Sequence, residues 1–91
     1  NIWGDIWQGE ALDRRDRSLI TIALLAALGQ QEELAMHVRA TQNTGVNQAE
    51  LGELLLQVAA YAGVPAGNAA FKTAKQALGT LDGTGAEGLK K

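Results

Sequence analysis

His37 and Glu33 are the two residues whose types and spacing could support acid–base chemistry. The sequence contains one histidine, and histidine is the side-chain type that most readily exchanges protons near neutral pH. Glu33 lies four residues earlier, which on a helix places both side chains on one face, one turn apart. Its carboxylate could accept a hydrogen bond from one ring nitrogen and leave the other free for general acid or base catalysis. Because this spacing is also common in exposed pairs worth only about 0.2–0.5 kcal/mol, spacing alone leaves both interpretations open.

Several further side chains could bind an acidic ligand. A guanidinium group can hold a carboxylate through two parallel hydrogen bonds, and a tyrosine hydroxyl can donate one more. Alternatively, the arginines at the start of the first long helix neutralise nearby aspartates, and the tyrosine anchors the core with its hydroxyl at the rim. Trp3 and Trp7 lie four residues apart, which is typical of packing on one face of a helical turn. The candidates for ligand binding are Arg14, Arg15, Arg17, Arg39 and Tyr61.

Composition excludes several classes of function. The 91 residues include no cysteine and one histidine, which excludes disulfides, thiol chemistry and a multi-histidine metal site within one chain, so we predict no metal. A net charge of −2, from 8 basic and 10 acidic residues, argues against a nucleic-acid partner. No apolar run reaches the length of a membrane span. A cysteine-free chain of this kind indicates a cytoplasmic protein.

Local signals predict an all-α fold with about four main helices. Glycines at 29, 45, 63 and 79 divide the chain into helices at roughly 14–28, 30–44, 47–62 and 65–78, and a glycine is a favourable helix terminator. Asp13 with Asp16 and Asn47 with Glu50 have the spacing of capping boxes, and Pro65 suits a first helical turn. We therefore predict one compact helical domain over residues 1–79 and a flexible tail over 80–91.

The helix predicted at 14–28 is apolar nearly all the way round between residues 19 and 28. Such a helix must be covered on every side, and four short helices cannot easily surround one of their own number. We therefore expect a homo-oligomer, since small domains commonly complete their core by association. The chain begins with Asn1 rather than Met, so we also expect an upstream segment.

Five blocks in order carry a resemblance to a known family. They are Trp-Gly-Asp-Ile-Trp at 3–7, Leu-Asp-Arg-Arg-Asp-Arg-Ser-Leu at 12–19, Glu-Glu-Leu-Ala-Met-His-Val-Arg-Ala at 32–40, Asn-Thr-Gly-Val at 43–46 and Tyr-Ala-Gly-Val-Pro-Ala-Gly-Asn-Ala-Ala-Phe at 61–71. From about residue 3 to 78 the chain resembles the carboxymuconolactone decarboxylase family, and specifically its 4-carboxymuconolactone (γ) branch. The related alkylhydroperoxidase D-like proteins share the fold but use a Cys-x-x-Cys pair, which is replaced here by Gln30 and Glu33.

The resemblance implies a ring-like homo-oligomer, usually a hexamer, that acts on a small carboxylated lactone without a cofactor. The implied reaction is the decarboxylation of 4-carboxymuconolactone to β-ketoadipate enol-lactone in the breakdown of aromatic compounds. His37 falls on the family's histidine and would supply a proton or polarise the lactone carbonyl, with Glu33 orienting it. Arg15, Arg17 or Arg39 would bind substrate carboxylates, and Tyr61 would lie at the edge of the pocket.

Residues 8–12 depart from the γ-branch pattern. They read Gln-Gly-Glu-Ala-Leu, where that branch commonly has Arg-Pro-Gly-Leu, so a basic residue is lost and Glu10 is gained. If this turn lines the pocket, that change is unfavourable for a dianionic substrate. Two alternatives therefore stay open: the same fold acting on another small carboxylate or lactone, and a catalytically silent helical oligomer that serves as a binding or structural module.

Overall fold

The chain folds into five α-helices over the residues that the structure describes, with no strand among them. In this computed structural model those are residues 2–79, and the tail predicted at 80–91 lies outside them. The helices are α1 (Ile2–Trp7), α2 (Arg14–Leu28), α3 (Gln31–Thr44), α4 (Gln48–Ala62) and α5 (Val64–Leu78). The four main helices therefore confirm the predicted all-α fold, with ends close to those expected, and α1 is a short additional helix.

The structure confirms the capping box predicted at Asn47 and contains one of the two hydrogen bonds of the box predicted at Asp13. The backbone N–H of Asp16 donates a hydrogen bond of 2.8 Å to the carboxylate of Asp13 at the start of α2. At the start of α4, the Glu50 backbone N–H donates to the Asn47 side chain at 2.8 Å, and the Asn47 backbone N–H donates to the Glu50 carboxylate at 3.0 Å. Each cap satisfies N–H groups that a helix end leaves without a partner.

Helices α2 to α5 pack around one apolar core, and α1 lies outside it. Contacts join α4 to α5, α3 to α5, and α2 to each of the other three. No residue of α1 is buried. The largest fully buried apolar side chains come from three different helices and are Ile22, Leu34, Val38, Leu51 and Leu55. The core therefore fixes α2 and α3 side by side, and these two helices carry most of the candidate site residues.

Gly67 marks the point of closest approach between α4 and α5. A Cβ atom at Gly67 would lie 2.5 Å from the Ala59 Cβ and 3.0 Å from the Ala59 Cα. Since the second distance is to backbone, a side chain at Gly67 would force the two helices apart. Helix packing thus explains a glycine that helix termination does not.

The outer face of α2 stays exposed within this single chain. The helix buries Ser18, Ile22 and Ala26 against the core. On the opposite side, Leu24 is 56% exposed and Leu28 is 70% exposed. The apolar circumference predicted for this helix is therefore covered on one side by its own chain, and the other side faces outward beside α1.

Candidate functional site

An apolar cavity of about 430 Å³ lies between α1, the outer face of α2 and the middle of α3. Most of its walls are aromatic and aliphatic side chains, which suit the apolar body of a small organic molecule. Apart from two indole rings, three polar side chains interrupt these walls: Arg17, Thr21 and His37. The apolar part of the lining consists of Trp3, Ile6, Trp7, Leu12, Ile20, Leu24, Leu25 and Leu28.

His37 reaches this cavity from the middle of α3 and is half-buried. Its position follows from the phase of the helix, because Leu34 and Val38 point into the core, and His37 lies beside Val38 on the flank that meets α2. An imidazole at the wall of an apolar cavity can exchange a proton with a bound molecule. The structure thus gives the predicted acid–base residue a cavity in which to act.

Arg17 lines the same cavity from the first turn of α2. Its Nε donates a hydrogen bond of 3.1 Å to the carbonyl oxygen of Leu12, which holds the side chain back along the loop before the helix. Gly9 also constrains it, since a Cβ at that position would overlap a terminal guanidinium nitrogen of Arg17. Backbone contacts from this loop therefore set the position of the cavity's cationic group.

Glu33 lies one turn before His37 on α3 but does not line the cavity. Its side chain is exposed. Within residues 2–79, none of the side-chain hydrogen bonds or ion pairs joins Glu33 to His37. The role predicted for Glu33 would thus require its side chain to turn toward the imidazole, and that role stays a prediction.

Arg15 points away from the cavity and pairs with acidic side chains. Its guanidinium contacts the carboxylate of Glu50 at the start of α4, and it lies 3.6 Å from the carboxylate of Asp16. Since Glu50 also closes the cap of α4, this ion pair ties the beginnings of α2 and α4 together. The structure therefore places Arg15 in a helix–helix contact, and its predicted role in substrate binding stays a prediction.

Arg39 and Tyr61 lie elsewhere on the chain. Arg39 borders a separate, more polar cavity of about 320 Å³ between α3 and α5, beside Gln31 and Thr73. Tyr61 is 85% exposed near the end of α4, so it does not anchor the core of this chain. Within one chain, neither residue meets His37, and their proposed contacts with substrate stay predictions.

The turn that departs from the γ-branch pattern borders the cavity without lining it. Trp7 before the turn and Leu12 after it are lining residues, whereas residues 8–11 are exposed. Glu10 thus does not place its carboxylate in the wall of the cavity. Within this turn, a Cβ atom at Gly9 would overlap the guanidinium of Arg17, which does line the cavity.

Sequence reasoning did not assign Thr21 to the site. It is the one polar residue in the apolar stretch 19–28. This single polar position was the only feature of the sequence that could have indicated a role for Thr21 in the site. Trp3 and Trp7 were expected to pack together on a helical turn, and they form one end of the cavity. None of these three positions could be assigned without knowing which face of α2 meets α1.

The described residues offer little for other kinds of site. No group of three or more His, Asp or Glu side chains within residues 2–79 could hold a metal ion. In the same part of the chain, no helix is long and apolar enough to cross a membrane. The apolar cavity, with one cation and one imidazole in its walls, can bind a small organic anion and transfer a proton to or from it.

Comparison with known proteins agrees with this chemistry. Residues 2–76 match the sequence profile described as the Carboxymuconolactone decarboxylase family. The chain is 49% identical over 79 residues to a 4-carboxymuconolactone decarboxylase of Acinetobacter baylyi, covering 87% of this chain and 59% of that protein. It is 41% identical over 63 residues to the nitrosuccinic acid decarboxylase npaB of Metarhizium robertsii, and this match covers 69% of this chain and 44% of that protein. The chain therefore spans about half the length of the curated relatives it matches. No solved structure matches it significantly.

Proposed function

The chain belongs to the carboxymuconolactone decarboxylase family, and on that premise we propose that it decarboxylates 4-carboxymuconolactone to β-ketoadipate enol-lactone. The observation that carries this proposal is the cavity in which Arg17 and His37 meet among apolar walls. Such a cavity suits a small ring that carries carboxylates. The identity to a 4-carboxymuconolactone decarboxylase over most of the chain supports the choice of substrate.

The proposed reaction balances without an added electron carrier. The bond between the ring carbon and its carboxylate breaks, and carbon dioxide leaves. The electron pair passes through the ring double bond into the lactone carbonyl and forms a dienolate. A proton then adds to the carbon next to that carbonyl, which gives the enol-lactone. The protein has to orient the lactone, stabilise the oxyanion that develops and deliver the proton.

His37 and Arg17 divide these tasks in the proposal. His37 donates the proton to carbon, or a hydrogen bond to the carbonyl oxygen as negative charge develops there. Arg17 pairs with a substrate carboxylate, for which a guanidinium fixed by the Leu12 carbonyl is well suited. The apolar walls limit the access of water to the two groups, which strengthens both interactions. Four further roles stay predictions that the turnover assay described below can test. Glu33 would orient His37, and Arg15, Arg39 and Tyr61 would bind substrate.

Turnover of enzymatically generated 4-carboxymuconolactone tests the proposal directly. Loss of the lactone and release of carbon dioxide are measured for the protein and for His37→Gln, which preserves a polar side chain of similar size. We expect rapid turnover that the substitution abolishes. Turnover that survives His37→Gln would retain the function and overturn the role of His37. No turnover by a correctly assembled protein would overturn the function.

A second candidate is the decarboxylation of another small carboxylated substrate by the same residues. The observation that favours it is the relative named nitrosuccinic acid decarboxylase, which shares 41% identity with this chain. The changed turn at residues 8–11 adds to this case, because Gly9 in that turn leaves the space that the Arg17 guanidinium occupies. Carbon dioxide release from nitrosuccinate but not from 4-carboxymuconolactone would establish this candidate over the first.

We also propose that the chain assembles as a homo-oligomer, with the ring-like hexamer implied by the resemblance as the expected form. The support is the exposed apolar surface of α1 and α2, where Trp3 is 71% and Leu28 is 70% exposed. Burial of such a surface favours association. Light scattering after size-exclusion chromatography should give the mass of six chains, and Leu28→Glu should reduce it, whereas Gln57→Glu on exposed α4 surface should not. A monomer at micromolar concentration would overturn this proposal.

A further inference from the structure

Thr21 stands out among the threonines of residues 2–79. The other three each donate a hydrogen bond through the side-chain hydroxyl: Thr41 to the Val38 carbonyl, Thr44 to the Ser18 hydroxyl and Thr73 to the Gln31 side chain. The Thr21 hydroxyl forms no hydrogen bond within the described part of the chain, and no buried side-chain oxygen or nitrogen there lacks a partner. The Thr21 hydroxyl is therefore accessible from the cavity that this residue lines.

Packing and helix propensity do not explain a threonine at this position. Valine has the same shape without the hydroxyl, and a hydroxyl set among apolar side chains loses hydration unless a ligand restores a hydrogen bond. Threonine is also a weaker helix former than the leucine and alanine that dominate the rest of 19–28. A bond from a threonine hydroxyl to the preceding turn of its own helix is the common alternative, and the structure does not show one here.

Arg17 and Thr21 lie one turn apart on α2 and line the same cavity. Side chains at this spacing have Cβ atoms only about 6 Å apart, so both can reach the two oxygens of one carboxylate. We propose that Thr21 is a substrate-binding residue whose hydroxyl donates a hydrogen bond to the carboxylate paired with Arg17. This inference rests on the proposed decarboxylation for the identity of the substrate.

The chemistry of decarboxylation indicates which carboxylate this is. The departing carboxylate loses its charge as carbon dioxide forms, so a cation and a donor fixed on it would stabilise the ground state more than the transition state. Arg17 and Thr21 therefore hold the carboxylate that the product retains, on the acetate side chain of the lactone. His37 on α3 is then free to interact with the lactone ring, where the proton is added. An interaction that is equal in ground and transition states changes KM and leaves kcat almost unaltered.

Both tryptophans of the chain line this cavity, so their fluorescence reports binding without requiring turnover. The experiment titrates the stable dicarboxylate adipate into the wild type, Thr21→Val, Thr21→Ser and Thr73→Val, and measures KM and kcat for 4-carboxymuconolactone in parallel. Thr21→Val should weaken adipate binding and raise KM by about tenfold, the usual range for a lost hydrogen bond to a charged group, with kcat within about threefold. Thr21→Ser, which keeps the hydroxyl, should retain more adipate binding and a lower KM than Thr21→Val, and Thr73→Val, outside the cavity, should match the wild type.

The outcomes separate this inference from the function on which it rests. Adipate binding and KM that are unchanged in Thr21→Val would overturn the assignment of Thr21, as would a wild type whose fluorescence shows no saturable response to adipate. A wild type that binds adipate in the expected Thr21-dependent way but does not decarboxylate the lactone would overturn the proposed function alone. In that case Thr21 would still be established as part of a carboxylate site.

Discussion

Arg17 and His37 line one apolar cavity from two consecutive helices, although Arg17 lies in the first turn of α2 and His37 in the middle of α3. The core brings them together, because α2 and α3 pack side by side through Ile22, Leu34 and Val38. In the proposed decarboxylation, Arg17 supplies a cation and His37 a proton donor at the wall of the same cavity. The predictions below test this pair and the contacts that hold it.

Replacement of His37 by alanine should lower kcat by about 100-fold or more, the usual size of a general acid–base contribution. The imidazole is half-buried at the cavity wall and is not part of the core, so the helical content and thermal midpoint should change little. Steady-state turnover with circular dichroism on the same samples checks both points. A variant that remains fully active would exclude His37 as the proton donor.

Replacement of Gly9 by alanine should raise KM without removing any charge. The added Cβ would occupy the space of the Arg17 guanidinium, which must then shift from the carbonyl that holds it. We expect a rise in KM of about tenfold, since a displaced ion pair loses part of a charge-assisted hydrogen bond. Gln8→Ala, at the exposed neighbouring position, is the matched control. Equal KM values for both variants would show that the turn does not position Arg17.

Replacement of Arg15 by glutamine should lower the free energy of unfolding, and its effect on KM tests the predicted role of Arg15 in substrate binding. The Arg15–Glu50 pair joins α2 to the cap of α4 but remains partly exposed, with side-chain exposures of 40% and 29%. Its loss should cost about 0.2–1 kcal/mol in the free energy of unfolding, and Arg14→Gln at an exposed position should cost less. Denaturant unfolding measures the difference. The KM of Arg15→Gln is compared with that of an Arg17→Gln variant. An equally large rise in KM would show that Arg15 binds substrate.

Replacement of Gly67 by alanine should destabilise the fold through overpacking. The new methyl group would meet the Ala59 Cα at 3.0 Å, and forcing packed helices apart typically costs about 1–3 kcal/mol. For a domain of this size that corresponds to a fall in Tm of roughly 4–8 °C for each kcal/mol. Asn68→Ala, on the exposed side of α5, is the control and should leave Tm unchanged or slightly higher. Equal Tm values for Gly67→Ala and the control would contradict this close approach.

The helices and their boundaries could be predicted from the sequence because their signals are local. A cap such as Asn47 with Glu50 closes through hydrogen bonds across three residues, and a terminator such as Gly29, with φ of 74°, needs only its own backbone freedom. The short helix α1 was predicted only as a helical turn that carries Trp3 and Trp7. The family could also be predicted from the sequence, because the resemblance rests on short blocks of residues in a fixed order.

The composition of the candidate site could be predicted only in part. Arg15 and Arg17 are two residues apart, so on a helix with about 100° per residue they point to nearly opposite sides. Local sequence does not determine which side meets α3 and which meets α4. The same holds for Glu33, whose spacing to His37 permits a contact that the structure does not contain. Thr21 appeared only as an interruption in an apolar run.

The sequence by itself determined the elements, the family and the one residue type suited to proton transfer. The tertiary structure decided that Arg17, rather than Arg15, shares a cavity with His37, and that Thr21 also lines this cavity. The physical reason is that helix formation depends on neighbours within about one turn, whereas a site depends on which faces of separate helices are packed together. That choice is set by the burial of side chains such as Ile22, Leu34 and Leu55, which lie far apart in the chain.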